Sequence, residues 1–179
     1  MQSVMSACLL YVICNLLCAQ GSSDNGVKIG LLVPDKSSKA AIQGAELAIN
    51  EANRRGGLNG KNITIVVRSM EGPWGTGSKQ AVDLIFNEKV WVLLGSHDGR
   101  NAHLVEQAAT KSIVAMVSAW SADPTLTQAF VPWFFNCVPN DLQQAETIIK
   151  EIYDIRKLKN LVVIYDKEYD SRQSLSGLL

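Results

Sequence analysis

Apolar residues in this chain follow two spacings that alternate along the sequence. Short continuous runs of apolar and β-branched residues, typical of buried strands, are separated by segments in which apolar residues recur at helical spacing. The runs predict strands at residues 27–33, 61–68, 90–94, 113–117, 133–136 and 161–165. The helical spacing predicts helices at residues 40–53, 78–87, 101–110 and 142–155, with Asp141 as the N-cap of the last, and a short helix near 124–128.

This order of elements predicts an α/β fold with a doubly wound parallel sheet. Short, continuously apolar strands that alternate with helices indicate a sheet covered on both faces, and right-handed crossovers place helices on each side. Ligands of such sheets bind outside the carboxyl ends of the strands. The candidate ligand loops are therefore residues 34–39, 69–77, 95–100, 118–124 and 166–171.

The N-terminal segment is typical of a signal peptide. Residues 1–23 carry no charged side chain, and their apolar run is interrupted by Asn15 and shorter than the roughly 20 residues of a bilayer span. Ala19 supplies the small residue expected at a cleavage site. We predict a signal peptide at 1–19 and a linker at 20–26, with an uncleaved anchor as the alternative. The mature protein is then periplasmic or extracellular.

The charge balance excludes some classes of partner. The chain has 179 residues, a length expected for one domain, with 17 Lys and Arg against 17 Asp and Glu. No basic run resembles a nucleic-acid-binding stripe, so no nucleic-acid partner is expected. Of the 4 cysteines, Cys137 alone lies outside the predicted signal peptide, and its apolar neighbours predict a buried, inert thiol.

The motifs that resemble catalytic or cofactor sites lack the residue order or spacing that such sites require. The sequence GPWGTGSK at 72–79 lacks the Gly-Lys-Ser/Thr order of a phosphate loop, so no nucleotide is expected. Ser96, His97 and Asp98 are consecutive, and neighbouring side chains do not converge as a triad requires. His97 and His103 have no paired ligand spacing for a metal. We expect neither an enzyme nor a cofactor.

Two of the loops carry candidate ligand contacts. The stretch from Gly95 to Asn101, which includes His97, follows a strand and begins a helix. The N–H groups at the start of that helix favour an anion. Gly99 would allow the backbone to approach the anion closely, and Arg100 could pair with it. The alternative is a capped helix start with a solvated arginine. Trp120, after the fourth strand, is either a ligand wall or a core plug, and Trp74 on a neighbouring loop is a candidate lid.

Together these segments resemble the N-terminal lobe of type 1 periplasmic solute-binding proteins, nearest to the branched-chain amino acid (Leu/Ile/Val) binding family of ABC importers. The resemblance covers residues 27–171 and rests on the segments VKIGLLV (27–33), GAELAINEAN (44–53), RGGLNG (55–60), VLLG (92–95), DPTLT (123–127) and VIYDKEY (163–169). It implies two lobes joined by a hinge, with residues 172–179 as the truncated start of the hinge or of a second lobe that is missing.

The resemblance also implies a site. Family ligand contacts match Gly99, Trp120, Ala122 and Tyr169 by position. Gly99 and Ala122 lack the hydroxyl groups usual at these positions in amino acid binders, and Ser118, Ser121 or Arg100 would take their place. The bulk of Trp120, with Trp74, favours an aromatic, cationic or carbohydrate-like ligand face.

The implied function is capture of a small amino-acid-like or aromatic solute by the extracytoplasmic component of an ABC importer. Its partner is then the membrane permease of the transporter. The alternative is the sensory ligand-binding ectodomain of a receptor or ligand-responsive regulator, since the same fold serves both roles.

Overall fold

The computed structural model describes residues 26–95, 98–128 and 131–178. The predicted signal peptide at 1–19 and nearly all of the predicted linker at 20–26 lie outside the described residues, and so does His97.

The described chain contains a 5-stranded parallel sheet with the order β2-β1-β3-β4-β5. The strands are β1 (Val27–Val33), β2 (Ile63–Ser69), β3 (Val92–Leu94), β4 (Ala115–Ser118) and β5 (Phe134–Asn136). Because all strands run in the same direction, the loops that follow them meet at one edge of the sheet. The predicted doubly wound parallel sheet is confirmed.

Helices connect the strands. They are α1 (Lys39–Arg54), α2 (Thr76–Phe86), α3 (Gly99–Lys111), the single turn α4 (Thr125–Gln128), α5 (Asp141–Ile149), which continues into a π-helical turn at Lys150–Ile155, and α6 (Tyr169–Leu178). The core lies between the sheet and helices α2 and α3, where Leu32, Leu84, Leu93, Val105 and Met116 are fully buried. Strand side chains alternate between faces, so Leu31 and Leu94 point to the face that carries α1.

Three local predictions are wrong. Residues 161–165 form no strand, and Val162 and Ile164 are 85% and 95% exposed, because an apolar run becomes a strand only beside a pairing partner. The N-cap of α5 is Asn140, one residue before the predicted Asp141, and it forms a capping box with Gln143. Cys137 is exposed, since it follows β5 at the edge of the sheet.

Helix α6 packs against α5, and an added Cβ at Gly177 would lie 3.3 Å from the Cβ of Ala145. Its N-terminus reaches the edge of the sheet where the strand-end loops meet, through hydrogen bonds described below. The assignment of residues 172–179 to a hinge or second lobe stays a prediction.

Candidate functional site

An arginine lies between two aromatic rings at the carboxyl edge of the sheet. The guanidinium carbon of Arg100 is 5.6 Å from the ring centroid of Trp74 and 5.5 Å from that of Tyr169. Trp74 belongs to the loop between β2 and α2, Arg100 to the first turn of α3, and Tyr169 is the first residue of α6. Guanidinium groups are attracted to aromatic faces within about 6 Å. The contacts therefore bring together residues from three separate segments.

The N-terminus of α3 holds two carboxylates of the protein itself. Oδ1 of Asp98, the N-cap, accepts a hydrogen bond of 2.8 Å from the backbone N–H of Asn101. The N–H of Gly99 donates to Oδ1 of Asp170 over 2.9 Å. Backbone N–H groups at a helix start favour negative charge. Two N–H groups at the start of α3 are therefore bonded to carboxylates of the protein itself, and binding of a ligand anion there stays a prediction.

Gly99 is required by the close approach of a neighbouring loop. A Cβ added at this position would lie 2.5 Å from Oδ2 of Asp123 and 2.7 Å from its Cβ. Any larger residue would push the loop after β4 away from α3. The absence of a side chain at position 99 therefore allows the two loops to touch.

Asp123 is the buried centre of the site, with 2% of its surface exposed. Its Oδ1 accepts hydrogen bonds from the backbone N–H of Thr125 at 2.9 Å and the hydroxyl at 2.6 Å, and its Oδ2 accepts from the hydroxyl of Tyr169 at 2.9 Å. His103 Nε2 lies 3.3 Å from Oδ2. Burial acts to raise the pKa of Asp123, but the bonds from Thr125 and Tyr169 and the nearby His103 outweigh it and hold that pKa below its ordinary value.

Other carboxyl groups near this centre are shifted the opposite way. Burial raises the pKa of Asp170, the N–H of Gly99 opposes this, and the carboxylates of Asp98, Asp123 and Asp141 add to the increase. Burial also raises the pKa of Asp141, with Asp123 as a further cause. The carboxyl edge of the sheet therefore holds several carboxyl groups that interact with one another, in addition to the guanidinium of Arg100.

The serine that ends β4 and the serine in the loop after it are both buried. Ser118 and Ser121 are buried, and the hydroxyl of Ser118 accepts a hydrogen bond of 3.3 Å from the N–H of Ser121. The carbonyl of Ala122 accepts a bond of 2.7 Å from the N–H of Asp141 at the start of α5. Trp120, in contrast, is 49% exposed. The loop therefore presents the indole outward and keeps both hydroxyls within the fold.

The predicted site residues fall into two groups. Trp74, Gly99, Arg100 and Tyr169 are brought together at one place, whereas Ser118 ends β4 and Trp120, Ser121 and Ala122 lie in the loop that follows it. His97 lies outside the described residues. That any of them contacts a ligand stays a prediction.

Sequence reasoning missed Asp123, Asp170 and His103. Asp123 precedes Pro124 and Thr125, an Asx-turn signature that signals a carboxylate bonded to its own loop. His103 was considered only as a metal ligand, although its place on α3 four residues after Gly99 indicates the same helix face. Asp170 gives no local signal, because its partner is distant in sequence.

In residues 26–95, 98–128 and 131–178, no group of at least three His, Cys, Asp or Glu residues is suited to hold a metal ion. Over the same part of the chain, no helix has both the length and the apolar character of a membrane span.

Comparisons with known proteins agree with this architecture. A family model described as "periplasmic binding protein" matches residues 26–178. The Leu/Ile/Val-binding protein homolog 2 of Brucella abortus is 24% identical over 163 residues, which cover 87% of this chain and 43% of that protein. Glutamate receptor 2.2 of Arabidopsis thaliana is 33% identical over 85 residues, covering 48% of this chain and 9% of the receptor. The chain thus spans less than half the length of these relatives.

Solved structures share the fold. The branched-chain amino acid transporter substrate binding protein LivJ of Streptococcus pneumoniae, solved with isoleucine, has a TM-score of 0.76 at 23% identity, covering 86% of this chain and 45% of LivJ. A solute binding protein of R. palustris, solved with benzoate, has a TM-score of 0.73 at 22% identity, covering 86% of this chain and 44% of that protein. Both are described as binding proteins of transporters. Because the family model spans all of the described residues and solved structures share the architecture of the sheet, the chain belongs to the periplasmic binding protein family.

Proposed function

We propose that this chain is the N-terminal ligand-binding lobe of an extracytoplasmic solute-binding protein that serves an ABC importer. It captures a small amino-acid-like or aromatic solute between this lobe and a second one, without catalysis. The observation that carries the proposal is the position of Arg100 between Trp74 and Tyr169, beside the N-terminus of α3.

This arrangement suits a carboxylate attached to a flat or apolar body. A guanidinium binds a carboxylate through two parallel hydrogen bonds, while the flanking rings supply apolar surface. The carboxylate of Asp170, which lies on the N–H of Gly99, offers a partner to a solute ammonium group where one is present. Amino acids and aromatic acids both meet this description.

The comparisons support the same two classes of solute. LivJ was solved with isoleucine and the R. palustris protein with benzoate. Both are components of transporters, so a membrane permease is the proposed partner of this chain, and the periplasm or the cell exterior its location. The residues that we propose as ligand contacts are Trp74, His97, Gly99, Arg100, Ser118, Trp120, Ser121, Ala122 and Tyr169.

A sensory role is the rival proposal. Its support is the similarity to Glutamate receptor 2.2, which covers 48% of this chain and 9% of that receptor. The similarity to the Leu/Ile/Val-binding homologue covers 87% of the chain. We therefore propose transport in preference to sensing.

The test is a binding screen of the protein by thermal shift and calorimetry, with leucine, phenylalanine, benzoate, putrescine and glucose as probes. We expect carboxylate probes to bind. Arg100→Ala should lower their affinity roughly tenfold or more, because a charge-assisted bidentate pair is lost. Arg55→Ala, which removes a guanidinium from the exposed end of α1, is the matched control. Binding of glucose alone, or carboxylate binding that Arg100→Ala leaves intact, would overturn the proposal.

A further inference from the structure

The first turn of α6 contacts the candidate site through two consecutive residues. The hydroxyl of Tyr169 donates to Oδ2 of Asp123 at 2.9 Å, and Oδ1 of Asp170 accepts the N–H of Gly99 at 2.9 Å. The guanidinium carbon of Arg100 lies 5.5 Å from the centroid of the Tyr169 ring. The two side chains therefore attach α6 to the start of α3 and to the loop after β4.

Asp170 lies at a position where a solute carboxylate would find donors. Arg100 directly follows Gly99 at the start of α3, and the first turn of α6 reaches both the guanidinium and the N–H of Gly99. Oδ1 of the N-cap Asp98 already accepts the N–H of Asn101. Backbone N–H groups at a helix start favour an anion, and the anion on Gly99 is here a carboxylate of the protein itself.

The folded protein holds the charged form of Asp170 weakly. Burial is the main cause that raises the pKa of Asp170, and the carboxylates of Asp98, Asp123 and Asp141 raise it further, against the opposing bond from the N–H of Gly99. A raised pKa means that the folded protein favours the neutral form of this carboxyl group more than water does. The bond to Gly99 is therefore made by a carboxylate that another anion can displace.

The start of α6 is attached less firmly than its end. In the segment that leads into the helix, Val162 and Ile164 are exposed, and residues 161–165 form no strand. The other end of α6 packs on α5, where Gly177 lies against Ala145. Segments with few buried apolar contacts open most readily, so the first turn of α6 can leave α3 while the rest of the helix stays in place.

We propose that Asp170 is an intramolecular competitor for the solute carboxylate at the start of α3, and that an acid binds there by displacing this side chain. The charge of Asp170 also repels an anion that approaches Arg100, which makes Asp170 a specificity-determining residue. A solute ammonium group would be attracted to the same carboxylate, so the competition falls on acids that carry no amine. The competition rests on the proposed function for its physiological solute, but the occupation of the N–H of Gly99 does not.

Removal of the carboxylate tests the competition. Asp170→Ala frees the N–H of Gly99, and Asp170→Asn, which removes the charge alone, takes its place if Asp170→Ala fails to fold, as judged by circular dichroism. The matched control is Ser174→Ala, which removes the bond from the Ser174 hydroxyl to the carbonyl of Asp170 and keeps the carboxylate. The probes are hydrocinnamate, phenylalanine, which differs from it by an α-ammonium group, and inorganic sulfate. Titration calorimetry measures the affinities, and amide NMR of the glycines follows the N–H of Gly99.

We expect Asp170→Ala to bind hydrocinnamate roughly tenfold more tightly than the native protein, because a competing like charge is removed, and phenylalanine to gain less. Ser174→Ala should bind both as the native protein does, and sulfate should shift the Gly99 signal in Asp170→Ala alone.

The outcomes distinguish this competition from the proposed function. If Asp170→Ala binds hydrocinnamate no more tightly than the native protein, or Ser174→Ala gains as much, the competition is wrong and the proposed function stands. If no carboxylate binds any form but sulfate shifts the Gly99 signal in Asp170→Ala alone, the competition stands and the proposed function is wrong. If no probe binds any form, both are wrong.

Discussion

The hydroxyl of Tyr169 donates a hydrogen bond of 2.9 Å to Oδ2 of Asp123 and so ties the start of α6 to the buried loop after β4. Asp123 is itself held by both donors of Thr125. Because Tyr169 also stacks on Arg100, its phenol ring is fixed at both its polar end and its face. The orientation of a proposed ligand contact is therefore determined by a buried carboxylate that no ligand needs to touch.

Replacement of Tyr169 by Phe should destabilise the protein. Asp123 would lose one of its donors while remaining buried, and a hydrogen bond to a charged group contributes about 2 kcal/mol. The pKa of Asp123 should rise as well, since Tyr169 is one of the groups that hold it low. Urea unfolding monitored by circular dichroism measures the first effect.

The control for this variant is Tyr165→Phe. Tyr165 is 55% exposed, so loss of its hydroxyl should change the free energy of unfolding by less than about 0.5 kcal/mol. Equal effects of the two substitutions would show that the bond between Tyr169 and Asp123 contributes nothing to stability.

Replacement of Gly99 by Ala should be costly, although alanine favours helices. The new Cβ would lie 2.5 Å from Oδ2 of Asp123, well inside van der Waals contact, so the loop after β4 must move. Overpacking of this kind costs about 1–3 kcal/mol. Gly44→Ala is the matched control, because its Cβ meets nothing within 4 Å and should stabilise α1 by up to about 1 kcal/mol. A higher melting temperature for Gly99→Ala than for Gly44→Ala would contradict this explanation.

The fold could be predicted from the sequence because the apolar patterns that indicate its strands and helices are local. The run VKIGLLV at 27–33 and the apolar spacing of residues 40–53 predict β1 and α1 within one or two residues of the observed bounds. The direction of the strands follows from the helices between them. For the same reason the sequence predicts that Trp74, Arg100 and Trp120 lie at one edge of the sheet.

The features that the sequence did not predict depend on contacts between residues. Residues 161–165 have the composition of a strand, but in the part of the chain that the structure describes no strand pairs with them, and Val162 is left 85% exposed. The bond between Asp170 and Gly99 joins residues that are 71 positions apart, so no local pattern encodes it. Asn140 and Asp141 can each accept a hydrogen bond at the start of α5, so the residue type does not distinguish them as the N-cap. The bond from the N–H of Gln143 to the side chain of Asn140 identifies Asn140 as the N-cap.

Asp170→Asn should alter how stability depends on pH. The pKa of Asp170 is raised in the folded protein above the ordinary value of 3.8, so its contribution to stability is fully present below that value and is lost as pH rises through the raised pKa. Asparagine removes this loss and keeps an oxygen to accept the N–H of Gly99. The variant should therefore gain stability relative to the native protein between about pH 4 and pH 7.

Urea midpoints at the two ends of that range measure the change, and Asp154→Asn, at an exposed position, controls for the loss of one negative charge. A difference between Asp170→Asn and the native protein that stays constant with pH would show that neither burial nor the neighbouring carboxylates raise the pKa of Asp170 in the folded protein.

Arg100→Lys should distinguish the effect of the positive charge at the candidate site from the effect of the planar guanidinium group. Lysine keeps the positive charge but has neither a planar face to stack between Trp74 and Tyr169 nor a fork of donors for a carboxylate. Exposed contacts between a cation and a ring contribute about 0.5–1 kcal/mol, so the free energy of unfolding should fall by no more than about 1 kcal/mol. Benzoate affinity should fall roughly tenfold, because the second hydrogen bond is lost. Calorimetry and urea unfolding, with Arg55→Lys as the matched control, give both numbers. Unchanged affinity in Arg100→Lys would mean that charge alone attracts the solute, and that the two rings serve the stability of the lobe rather than recognition.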